Sequence, residues 1–133
     1  MLDEHKFCFI ICTNDELQLR ECVLYLSLLH VPDGYQTELI TITDAVSMTA
    51  GYNEGMRASN AKYKIYLHQD SFIVEPLFLD MILGLFQRNE QIGIIGTLGT
   101  RHLSEDGIIW HSERCGNVYL LHQHKGSAIR VLE

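Results

Sequence analysis

Tyr63-Lys64-Ile65-Tyr66-Leu67-His68-Gln69-Asp70 decides how the rest of the chain is read. Aromatic and β-branched residues followed by three polar ones have the pattern of a short buried strand that stops at its polar end. In an open α/β sheet, ligands bind outside the carboxyl ends of the strands. If strand geometry persists through the triplet, His68 and Asp70 project to the same side. A carboxylate and an imidazole placed in that way can hold a divalent cation against a diphosphate. The triplet also reads as the polar start of an ordinary loop, and the surrounding segments decide between the two.

Outward from this strand the chain alternates. Residues 7–12 are a continuous apolar run, the pattern of a central parallel strand covered on both faces. Thr13, Asn14 and Asp15 follow as turn and helix N-cap chemistry. The next helix places Leu19, Val23, Leu26 and His30 on one face, with Leu24 and Leu28 broadening the stripe, until Pro32-Asp33-Gly34 stops it. Residues 38–43, rich in Ile and Thr, form a second strand that ends at Asp44. A helix is expected from about Ser47 to Asn60, although Gly51 and Gly55 lower its propensity. Those two glycines would let the backbone come close to a ligand or a neighbouring strand.

Downstream, Glu75-Pro76 is a good helix start. Phe78, Ile82, Leu85 and Phe86 are the expected buried face, and Asn89 the stop. Residues 91–96, with Ile92, Ile94 and Ile95, read as a fourth strand. Strand and helix in strict alternation predict an α/β fold, a doubly wound and mostly parallel sheet. After Gly99 the pattern changes: residues 107–111 and 117–121 read as short strands, with a hairpin turn over 112–116, and residues 122–133 carry little periodicity. The expectation is a single domain over residues 1–133, with a βαβ core at 1–99 and a partial hairpin and tail at 100–133.

The composition excludes some functions. A formal charge of −7 argues against a nucleic-acid partner, which needs a basic surface. A diphosphate is still permitted, because a cation and helix N-termini supply positive charge locally. Cys8, Cys12, Cys22 and Cys115 show no paired spacing and read as reduced packing residues. Asp3, Glu4, His5 and Lys6 precede a run too short and too strand-like for a signal peptide. The apolar stretch 76–86 is broken by Asp80 and falls short of a transmembrane segment. These features predict a soluble, cytoplasmic protein.

The block from Gly51 to Asp70 resembles the GT-A glycosyltransferases, in particular their family-2-like branch. The matching residues are Asn53, Gly55, Ala58 or Ala61, Tyr63, Ile65 to Leu67, and Asp70. Most members carry Asp at the first position of the acidic triplet, where this chain has His68. The His-Gln-Asp version resembles a smaller subgroup of glycosyltransferase-like proteins that includes one linked to streptomycin biosynthesis. The resemblance extends over residues 6–120. It implies transfer of a sugar from a nucleotide-diphospho-sugar to an unknown acceptor, with metal-assisted departure of the nucleoside diphosphate.

Asp70 is the first choice of metal ligand and His68 the second. Hard oxygen donors suit Mg²⁺ or Mn²⁺, and an imidazole would favour Mn²⁺. For His68 the alternative is a hydrogen-bonded histidine at a strand end. The resemblance puts Thr13, Asn14 and Asp15 where the first strand's end contacts the nucleotide, Asp44 near the base or ribose, and Asn53 on the family's helix. Arg57, one turn beyond Asn53, is within reach of a phosphate. Each of these also has an ordinary role, as a helix cap, a strand-closing acid or a solvated surface residue.

No catalytic base can be assigned. Glu105, Asp106 and Glu113 are candidates, but none sits in a matching motif, and the acceptor half looks truncated. The alternative function is a non-catalytic nucleotide-sugar-binding module that works as a homo-oligomer or with a partner chain. An unrelated receiver-like or mononucleotide-binding domain ranks last, because Cys12-Thr13-Asn14-Asp15 lacks a phosphate-binding glycine loop. His111, Cys115, His122 and His124 match no strong zinc spacing.

Overall fold

The computed structural model describes residues 1–116, 118–121 and 129–132. Contacts divide the chain into two units, Met1–Glu90 and Gln91–Glu133. The first contains β1 (Asp3–Thr13), α1 (Glu16–Ser27), β2 (Gln36–Thr43), α2 (Met48–Ala58), β3 (Ala61–His68) and α3 (Phe78–Arg88). Its three strands form a parallel sheet in the order β2-β1-β3. Among the described residues, no helix is long and apolar enough to cross a membrane.

β1 is central because its apolar run can be buried on both faces. Phe7, Cys8, Phe9, Ile10 and Ile11 are all buried. Alternation sends Phe7 and Phe9 to one face, where they pack with Leu29 and with Leu79 and Leu83 of α3. Cys8 and Ile10 point the other way, with Ala61, Ile40 and Tyr52 of α2. Helices thus cover both faces, and each fully buried large apolar side chain contributes about 1.5–3 kcal/mol. The one buried polar residue of this core, Ser59, is satisfied: its Oγ donates to Glu38 Oε2 and accepts from the Ala61 N–H.

α2 lies close on β1 because of its glycines. A Cβ on Gly51 would sit 2.6 Å from Cys12 Sγ and 2.9 Å from Ala45 Cβ, and one on Gly55 would run into Ile10 Cγ2. Of the two uses open to these glycines, approach to a neighbouring strand is the one observed.

The helices are present, and much of each expected face is inward: Leu26 of α1 and Phe78 and Ile82 of α3 pack against the core, and the Phe86 ring meets that of Tyr63, while the most deeply buried positions are others. Leu24 of α1 and Leu28 just past its end are exposed, while Cys22 of α1 and Leu29 beyond it are the buried positions. On α3, Leu79 and Leu83 are the buried pair and Leu85 is exposed. α3 also starts at Phe78: Glu75 closes a turn before it, accepting the Leu77 N–H with its side chain and the Phe78 N–H with its carbonyl.

His30 follows α1 and ties it to α3. Its backbone N–H donates to the Pro76 carbonyl at 2.8 Å, and its Nδ1 lies 2.8 Å from Asp80 Oδ2. The hydrogen bond and charge of Asp80 raise the His30 pKa above 6.5. A raised folded-state value means that stabilisation is fully present below pH 6.5 and is lost as the pH rises through the folded value. Thermal melts from about pH 5 to 8 should therefore show a decline that Asp80→Asn flattens.

The second unit contains β4 (Gly99–Thr100) paired with β5 (Arg114–Cys115), a 3₁₀ turn at Ile109–His111, and the antiparallel pair β6 (Val118–Leu121) and β7 (Ile129–Leu132). Two expectations are corrected here. Residues 91–96 are not a strand: Gly93 and Gly96 weaken it, and Ile94 is 89 % exposed, so no burial offsets their cost. Residues 107–111 are not a hairpin strand either. Asp106 Oδ1 takes the Ile108 N–H, the Gly107 N–H bonds the Ser104 carbonyl, and Gly107 has φ +74°, so local bonds use the groups a ladder would need. The second expected strand matches β6, whose partner is β7.

Candidate functional site

Cys12, Ile42 and His68 are register partners across the three strands, so their side chains leave the sheet on the same face at its carboxyl edge. That face is covered by α2. There a cleft of about 350 Å³ opens, lined also by Thr13, Asn14, Asp44, Ala45, Ser47, Met48, Tyr52, Gln69 and Asp70. The carboxyl edge of a parallel sheet leaves strand-end loops free to converge on a ligand, and the lining comes from the strand ends, the loops that follow them and α2.

The strand ends at His68, and Gln69 and Asp70 form a turn that the Ser71 N–H closes on the His68 carbonyl at 3.1 Å. Alternation along an extended strand is therefore not what brings His68 and Asp70 to the cleft. The turn does, and both side chains are exposed there. Tyr52 backs them. Its hydroxyl donates to the Leu67 carbonyl at 2.7 Å, and its ring meets those of Tyr66 and His68 edge-on. Burial raises the Tyr52 pKa, with the charges of Cys12 and Asp70 adding to it, so the phenol remains a donor at neutral pH. Cys12 sits against α2 with its thiol toward the Met48 carbonyl, and burial, then Glu54, raises its pKa. All four cysteines are free.

Asp44 lines the cleft with φ +57°, in the left-handed region that Asp tolerates better than most residues. Asp44→Asn should leave the melting temperature unchanged while removing a charge from the cleft. Asp44→Val should lower stability by roughly 1–2 kcal/mol in denaturant titrations, because a β-branched side chain crowds the backbone there.

Thr13 and Asn14 also line the cleft. Asp15 does not; its Oδ1 caps α1 by accepting from the Leu17 and Gln18 N–H groups at 2.9 and 3.1 Å. Asn53 and Arg57 lie exposed on α2, apart from the cleft lining. Ser47 caps α2 through Oγ, which takes the Ala50 N–H at 3.1 Å.

Of the candidate bases, Asp106 is held by His111 Nδ1 and Ser104 Oγ, each at 2.6 Å, and by the Ile108 N–H. These bonds, that of His111 most, lower its pKa to about 2, which makes it a weak proton acceptor. Among the described residues no three His, Cys, Asp or Glu side chains gather as metal ligands. His122 and His124 lie outside the described residues.

Sequence reading passed over Gln69. Its Oε1 accepts from Thr13 Oγ1 at 2.6 Å and from the Asn14 and Asp15 N–H groups at 2.8 and 3.1 Å, while Nε2 donates to Asn14 Oδ1 at 2.7 Å. One side chain thus joins the β1–α1 loop to the β3 turn. Its position between His68 and Asp70 was the only available signal.

No curated protein and no solved structure matches the chain. A family model described as a glycosyltransferase-like family matches residues 8–132, a span that includes every residue lining the cleft. The chain therefore belongs to the glycosyltransferase-like family, whose general chemistry is glycosyl transfer.

Proposed function

We propose that the cleft binds a nucleotide-diphospho-sugar and that the protein transfers the sugar to an acceptor hydroxyl, with a GT-A, family-2-like arrangement of the donor site. The observation that carries this reading is that Asp70, His68 and Asp44 all open on one cleft at the carboxyl edge of a parallel sheet.

The donor set fits a divalent cation that arrives with its diphosphate. Mg²⁺ and Mn²⁺ are commonly held by one or two carboxylates, with phosphate oxygens and water filling the other positions. Asp70 would hold the ion, with His68 as a second donor that favours Mn²⁺. Such an ion, when bound, supplies Lewis-acid neutralisation of the departing nucleoside diphosphate. Asp44 offers a carboxylate to ribose hydroxyls or base N–H groups, and Ile42, Ala45 and Met48 offer apolar surface to the rings.

Calorimetric titration with UDP- and GDP-sugars, with and without Mn²⁺, tests the reading. Binding of at least one donor that Mn²⁺ strengthens is expected; no binding in any combination would sink it.

A second reading is a binding module without turnover. In its favour, among the described residues Asp44 and Asp70 are the only carboxylates lining the cleft, and this reading gives both donor-side roles. Donor hydrolysis or transfer by the isolated chain, removed by Asp70→Ala, excludes it.

A further inference from the structure

We propose that Gln69 is a positioning residue that fixes the polarity of Asn14, so that Asn14 presents its NH₂ group to an anionic oxygen of the bound nucleoside diphosphate. This rests on the donor-site reading above and adds to it the way one recognition group is set.

The polarity follows from hydrogen-bond chemistry. The Asn14 and Asp15 backbone N–H groups can only donate, so the Gln69 atom facing both must be the carbonyl oxygen. The other half of that amide is then NH₂, and the Asn14 atom 2.7 Å from it must be an acceptor, Oδ1. The Asn14 NH₂ is left over, without a protein partner among the described residues, on a side chain that lines the cleft. An amide that could otherwise turn either way thus carries donors and no free acceptor on its open side. That suits a phosphate oxygen and not a cation.

Four backbone donors around the loop are engaged within the protein. Asn14 and Asp15 give their N–H groups to Gln69, and Leu17 and Gln18 give theirs to Asp15. The Asn14 NH₂ is a side-chain donor that these bonds leave over for an anion.

Three variants separate polarity from folding. Gln69→Glu keeps an acceptor for the two backbone N–H groups but cannot donate, so Asn14 turns its NH₂ to the new carboxylate and its oxygen to the cleft. Gln69→Met keeps the size, removes the clamp and adds no charge. Asn14→Asp keeps the bond from Gln69 and replaces the free NH₂ with an anionic oxygen. Each should bind UDP or GDP, titrated in Mn²⁺, about tenfold more weakly than wild type, the loss of one charge-assisted hydrogen bond. Gln69→Glu and Asn14→Asp should melt with the wild type. Amide exchange at Asn14 and Asp15 should accelerate in Gln69→Met and stay slow in Gln69→Glu.

A loss confined to the two charged variants would trace to added charge and overturn the proposal. So would affinity in Gln69→Met within about twofold of wild type. Failure of the wild type to bind either nucleotide would overturn the donor-site reading together with this one. Binding by the wild type with no effect of the variants would overturn this one alone.

Discussion

Asp70→Ala is expected to weaken Mn²⁺-supported nucleoside diphosphate binding by about 100-fold, roughly 3 kcal/mol, with the melting temperature unchanged. Asp70 is exposed at the cleft, and among the described residues no hydrogen bond or ion pair runs through its carboxylate. Its removal should therefore spare stability. Without it a cation would depend on His68 alone, and the charge of the two phosphate groups would be less compensated. The loss should appear only when Mn²⁺ is present, so calorimetry with and without the ion isolates it. Asp70→Asn keeps the shape and removes the charge, and should fall nearly as far. If both variants bind as tightly as the wild type, Asp70 is no metal ligand and the donor site needs another source of positive charge.

Gly55→Ala should destabilise the protein by about 1–2 kcal/mol although it improves helix propensity. In an exposed helix interior the change would stabilise by up to roughly 1 kcal/mol. Here the new methyl meets Ile10 Cγ2, a fully buried side chain at the centre of the sheet, and overpacking of this kind costs about 1–3 kcal/mol. The cost wins because Ile10 has packed neighbours on its own strand and has nowhere to retreat. Ile10→Leu moves the branch away from Cβ and deletes Cγ2; the next atoms of Ile10 stand 3.6 and 3.7 Å from the added methyl, ordinary contact distances. The double variant should thus lose less than the sum of its parts in urea titrations, by a coupling of about 0.5 kcal/mol or more. Strict additivity would show that the close approach of α2 does not set the cost.

What lay in the sequence was local. The apolar run 7–12 sufficed to place β1 at the centre of a parallel sheet, because only a strand covered on both faces can bury successive residues, as Phe7 to Ile11 are buried here. Asp15 and Ser47 announced the starts of α1 and α2, since a cap bonds to N–H groups only two or three residues away. The polar end of β3 marked the cleft, because alternating strands and helices bring strand ends to one edge. What the tertiary structure decided involves partners far apart in the chain. Gln69 reaches Asn14 across 55 positions, and no spacing rule names that pair. Periodicity showed that α1 and α3 each have an apolar face, but packing with Phe7 and Phe9 chose Leu29, Leu79 and Leu83 for the deepest burial, while Leu24, Leu28 and Leu85 stay exposed. For residues 91–96, apolar composition alone could not make a strand, because a strand also needs a neighbour to accept its backbone hydrogen bonds.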